Sequence, residues 1–137
     1  MKKVKKLKSK KKKKRRRKGK PIAMGKIAAD GSILKATPGV SISTVINEGE
    51  IYGTRDDIGY TVTLPEGLVC DNNYIIQLTA ENYGEDGPDY VITSIASRYQ
   101  TIRGFEVIIW ADRIQTISSS YTITPVRTNW HFVVYDL

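Results

Sequence analysis

The first twenty residues, MKKVKKLKSKKKKKRRRKGK, hold fifteen lysines and arginines and no acid. Such a run cannot fold by itself. Its charges repel one another, and Val4 and Leu7 beside Met1 offer too little apolar surface to offset the entropy of ordering a chain. Residues 1–20 therefore read as a disordered basic arm, and folding is confined to residues 21–137. Gly19 and Pro21 punctuate the change of regime. The formal net charge of +8 hides this division, because the arm alone carries +15. Beyond it, Lys26, Lys35, Arg55, Arg98, Arg103, Arg113 and Arg127 face all fourteen acids, leaving −7.

A basic tail on an acidic body suggests a tail that engages a polyanion while the body does something else. The contacting groups would be Lys2, Lys3, Lys5, Lys6, Lys8, Lys10, Lys11, Lys12, Lys13, Lys14, Arg15, Arg16, Arg17, Lys18 and Lys20. Fully extended, the arm reaches about 66 Å. Charges of this density release counterions on binding phosphates, so affinity should fall steeply with salt, by a log–log slope approaching about −0.7 per phosphate for single strands. Phosphate contacts carry little sequence information, and no aromatic residue is interleaved to stack on bases. Nucleic acid is the leading polyanion, and an acidic protein such as a capsid component is the next. A nuclear localisation signal and docking on anionic lipid use the same residue types.

The remaining 117 residues suit one domain, which at that size buries roughly 65% of its unfolded surface. Cys70 is the only cysteine and His131 the only histidine, so neither an intrachain disulfide nor a structural zinc site is expected. No run approaches the ~18 apolar residues of a membrane span, and no apolar segment of a cleaved signal follows the N-terminal charges.

Short alternating segments separated by turn signals predict an all-β domain, an antiparallel β-sandwich of six or more short strands. Asp30-Gly31 lies between small apolar stretches as a hairpin turn. Tyr60, Val62 and Leu64 alternate with threonines before Pro65 and Gly67. Tyr74, Ile76 and Leu78 form a second inward row. A strand from Tyr90 to Ala96 leads through a turn at Arg103-Gly104 to Phe105, Val107 and Ile109. Tyr121 to Thr124 precedes Pro125, and Trp130, Phe132 and Val134 point inward from the last strand. Ile108, Trp110, Val133 and Tyr135 fall on the opposite faces, and such surplus apolar surface favours oligomerisation.

Nothing in the sequence supports catalysis. No phosphate loop, nucleophile elbow or two-histidine metal helix is present. His131 reads as a surface or interface side chain and Cys70 as a packed thiol. Glu81, Glu85, Asp86 and Asp89 form an acidic loop without the alternating oxygen spacing of calcium loops, hence a solvated one. No cofactor is expected.

The order of these motifs resembles a known group. Gly25-Lys26-Ile27-Ala28-Ala29-Asp30-Gly31-Ser32-Ile33 looks like the G-x-I-x-x-D-G-x-I opening of small domains at the tips of bacteriophage tail and head fibres. Gly59 to Pro65, Tyr74 to Ile76, Arg103 to Val107 and the closing Trp130 to Asp136 follow in the same order. The layout is also similar to H-type lectin domains, over roughly residues 25–137. The resemblance implies a trimeric sandwich serving as a virion fibre or spike, able to contact host glycans or proteins. By position, Asp30, Trp110 and Asp112 match the lectins' sugar-binding residues, although Ala111 stands where that group carries a polar side chain. An arm in place of a fibre shaft implies an anchor onto the packaged genome or an acidic shell protein. The alternative is a minimal capsid or internal packaging protein whose arm binds the viral genome.

Overall fold

The computed structural model describes residues 19–47, 57–84, 91–114 and 121–137. The arm's residues 1–18 and most of the acidic loop, residues 85–89, lie outside the described residues. The described chain is all-β, with nine strands. They are β1 (Pro21–Ile27), β2 (Ile33–Ala36), β3 (Ser41–Asn47), β4 (Asp57–Thr63), β5 (Ile75–Ala80), β6 (Val91–Thr101), β7 (Gly104–Ile114), β8 (Tyr121–Pro125) and β9 (Trp130–Tyr135). Two antiparallel sheets form the sandwich. One has the order β2-β1-β9-β5, and the other has β3-β4-β7-β6 with β8 also on β7. The eleven-residue β7 explains that branch: its first half pairs with β4 and its second half with β8.

The period-two pattern decides what lies between the sheets. Tyr60, Val62 and Leu64, Phe105, Val107 and Ile109, and Trp130, Phe132 and Val134 are all buried, each at 2% exposure or less. Burying each large side chain contributes roughly 1.5–3 kcal/mol. The aromatic rings form one connected set. Phe105 and Phe132 meet edge to face at 5.7 Å, and Trp130 sits 5.2 Å from Tyr60. Tyr74 closes the layer at one end, where its hydroxyl donates to the Thr101 carbonyl at 2.7 Å and is 3.0 Å from that of Gly104. Burial pushes its pKa up to about 12.

Two expectations are corrected by the fold. Cys70 is exposed rather than packed, because Val69 takes the inward position in the turn before β5 and sends its neighbour out. Ile108, Trp110, Val133 and Tyr135 do not form one apolar stripe. Ile108 and Trp110 stand on the outer face of the five-stranded sheet, and Val133 and Tyr135 on that of the four-stranded sheet. All four are half-buried by cross-strand neighbours.

The registers give the sandwich two distinct ends. Pro21 and Ile75 both pair with Tyr135, so β1 begins, and the arm departs, at the end that also holds Tyr74 and the β6–β7 turn. The Asp30 turn lies at the opposite end, as do the departures of the β3–β4, β5–β6 and β7–β8 connections.

Candidate functional site

Asp30 shows how its turn is built. Ser32 donates to Asp30 Oδ1 from its backbone N–H at 2.9 Å and from its hydroxyl at 2.6 Å. Gly31 takes the left-handed φ of +87° that the tight turn requires, and a Cβ there would also press on the Thr44 methyl at 2.8 Å. The Ser32 hydroxyl, then the Ser32 N–H, holds the Asp30 carboxyl below its usual pKa. Around the turn, Tyr60 donates to the Ala29 carbonyl at 2.6 Å and the Ala29 N–H donates to Asn129 Oδ1 at 3.0 Å. Asn129 in turn donates to Glu81 at 3.3 Å. The end of the sandwich opposite the arm is thus polar and tied across both sheets.

Trp110 and Asp112 occupy alternate positions of β7, on the outer face of the five-stranded sheet. Trp110 stands between Ser94 of β6 and Pro125 of β8 in register. Asp112 Oδ1 is buried without a hydrogen-bond partner among the described residues. Asp30 belongs instead to the hairpin of the other sheet. The structure therefore brings Trp110 and Asp112 together and leaves Asp30 apart from them, in a different layer.

Of the expected polyanion contacts, only Lys20 is among the described residues, and it is exposed just ahead of β1. Lys2, Lys3, Lys5, Lys6, Lys8, Lys10 to Lys14, Arg15 to Arg17 and Lys18 lie outside them. His131 is exposed on β9. No group of three or more potential metal-binding side chains occurs among the described residues, and no helix there is long and apolar enough to cross a membrane.

One constellation was not anticipated from the sequence. The register pairs Lys26 with Lys35 of β2 on one side and with His131 of β9 on the other. These exposed side chains form a row across three strands on the outer face of the four-stranded sheet. None of that sheet's strands contains a carboxylate. Like charges set directly opposite one another destabilise a sheet, so Lys26 beside Lys35 is a pairing that folding alone does not favour. In the next outward row Met24 pairs with Val133, which pairs in turn with the exposed Gln77. A hollow of about 410 Å³ opens between the two rows, with Gly25 among its lining residues. The symmetric placement of Lys26 and Lys35 about Asp30-Gly31 was the available sequence signal.

The β6–β7 end has its own peculiarity. Tyr99 adopts a left-handed φ of +53° at a register shift in β6, is 71% exposed, and stacks under the Arg98 guanidinium at 5.1 Å. Bulky residues rarely accept that conformation.

Comparison with protein-family models, curated proteins and solved structures found no match for this chain.

Proposed function

We propose that this chain is a viral structural protein, a short trimeric fibre or spike module held to the virion by its basic arm. The observation that carries the reading is the polarity of the sandwich. The arm departs beside Pro21 at one end, while the Asp30 turn and the β3–β4, β5–β6 and β7–β8 connections depart from the other. A module tethered at one end presents its connections at the other, and loops on a rigid scaffold are where binding residues concentrate. Host glycans or proteins would be met there, with Asp30 among the contacting groups. The half-buried Ile108 and Trp110, on a different face from the arm's sheet, offer surface for subunit contacts.

Size-exclusion chromatography with light scattering tests the assembly. A discrete trimer supports the fibre reading, whereas monomers that close into shells contradict it. A specific observation favours the packaging alternative. The sheet that continues into the arm presents cations and no carboxylate along its strands, the electrostatic footprint of a surface that meets an anionic polymer.

A further inference from the structure

We infer that the outer face of the four-stranded sheet is a binding site for single-stranded nucleic acid, with an unpaired base in the hollow and its phosphates on the Lys26–Lys35–His131 row. The inference rests on the reading of the arm as a polyanion binder, and it adds a specificity that the arm cannot supply.

Four observations converge. First, Lys26 and Lys35 are directly opposed and exposed, a repulsion that a bound anion relieves. Second, no carboxylate lies on any strand of this sheet, although the body as a whole is acidic. Third, the hollow of about 410 Å³ has Met24, Val133, His131 and Thr37 among its lining residues. Its size falls within the roughly 300–1,000 Å³ of small-ligand clefts. An apolar floor beside cations suits a flat base attached to a phosphate. Fourth, Pro21 opens the same strand that carries Lys26, about 17 Å away at the rise of a β-strand. A polymer gripped by the arm is thus delivered to the end of the strand that carries this face, beside the half-buried Tyr135.

A duplex keeps its bases stacked inside and presents only phosphates, so it can engage the arm and the row but not the hollow. Single strands splay bases out, and each stacked or buried base raises affinity by roughly fivefold to a hundredfold. A ratio of single-strand to duplex affinity that depends on the hollow is thus the signature of the face, while salt-sensitive binding to both is the signature of the arm.

The test uses the full chain and fluorescence anisotropy, with an oligothymidylate and a duplex of equal phosphate number at one salt concentration. The arm itself favours the duplex, whose charge density is higher, so the readout is the ratio of single-strand to duplex affinity in wild type and variant. Met24→Ser, at a position 49% exposed, should lower that ratio about tenfold by weakening the single strand, without adding a charge beside the lysines. Lys26→Ser with Lys35→Ser should weaken the single strand most. Backbone amide shifts on adding thymidine oligonucleotide should concentrate at residues 24–26 and 131–133. A ratio unchanged in Met24→Ser overturns the inference and leaves the arm reading standing. Displacement by oligoglutamate of matched charge as effective as that by oligothymidylate also overturns it, in favour of an acidic peptide. Failure to bind either polymer overturns both readings.

Discussion

Replacing Gly25 with alanine is a test in which the sign of the effect decides. In a strand interior, alanine normally gains roughly 0.5–1 kcal/mol over glycine, because glycine loses more backbone freedom on folding. Here the added Cβ would stand 2.5 Å from Phe132 Cε1 and 3.0 Å from its Cζ. Carbon atoms at rest sit about 3.5–4.0 Å apart, so the overlap is about 1 Å. Phe132 cannot swing clear, since it is 1% exposed and held by Phe105 at 5.7 Å and Trp130 at 6.0 Å. Overpacking of this kind costs roughly 1–3 kcal/mol, which exceeds the gain in propensity. The net expectation is a loss of about 1–2 kcal/mol. In urea unfolding followed by tryptophan fluorescence, with a slope of about 2 kcal/mol per molar, the midpoint should fall by about 0.5–1 M. In a Phe132→Leu background the same substitution should cost much less, because the two residues share one volume and their effects are not additive. A stabilised Gly25→Ala, or a cost undiminished by the smaller leucine side chain of that background, would refute the packing argument.

Other outcomes follow from the same structure. Tyr74→Phe leaves the Thr101 carbonyl without the hydroxyl that donates to it and should cost roughly 1–3 kcal/mol in chemical denaturation. In the wild type the raised Tyr74 pKa means that the folded state favours the neutral phenol. Its contribution is whole below the unfolded value near 10 and is lost as pH rises toward about 12, a decline that Tyr74→Phe should lessen. Asp30 behaves oppositely: its depressed folded pKa contributes above the unfolded value and is lost as acid titrates it. Ser32→Ala should raise that pKa toward the usual carboxylate range, as read from the carboxyl carbon shift in an NMR titration. Tyr99→Gly relieves a left-handed backbone at an exposed site and should stabilise by about 1 kcal/mol, less whatever the Arg98 stack contributes; a loss of stability would assign the stack the larger share.

The strands with a buried face were legible because alternation is strict where a core lies on one side. Tyr60-Val62-Leu64, Phe105-Val107-Ile109 and Trp130-Phe132-Val134 all turned inward as the pattern required. β3 was not legible: it is an edge strand, and Ser41, Ser43 and Thr44 blur its period. The full length of β6 was also hidden, since its edge position leaves much of either face accessible and mixes its polarity. Site geometry was less accessible still. Asp30, Trp110 and Asp112 share one order along the chain but not one layer of the fold. Lys26, Lys35 and His131 are scattered in sequence, and only cross-strand register makes them neighbours. The exposure of Cys70 depended on which of two adjacent residues the turn sends inward.

The role proposed for the arm is to bind an anionic polymer for the sandwich it tethers. Its most direct test is the salt dependence of oligonucleotide affinity for the full chain and for a chain lacking residues 1–20. A steep log–log slope is expected for the full chain, approaching about −0.7 per phosphate neutralised, with a large loss of both affinity and slope on deletion. Unchanged affinity after deletion, or a shallow slope with the arm in place, would contradict it.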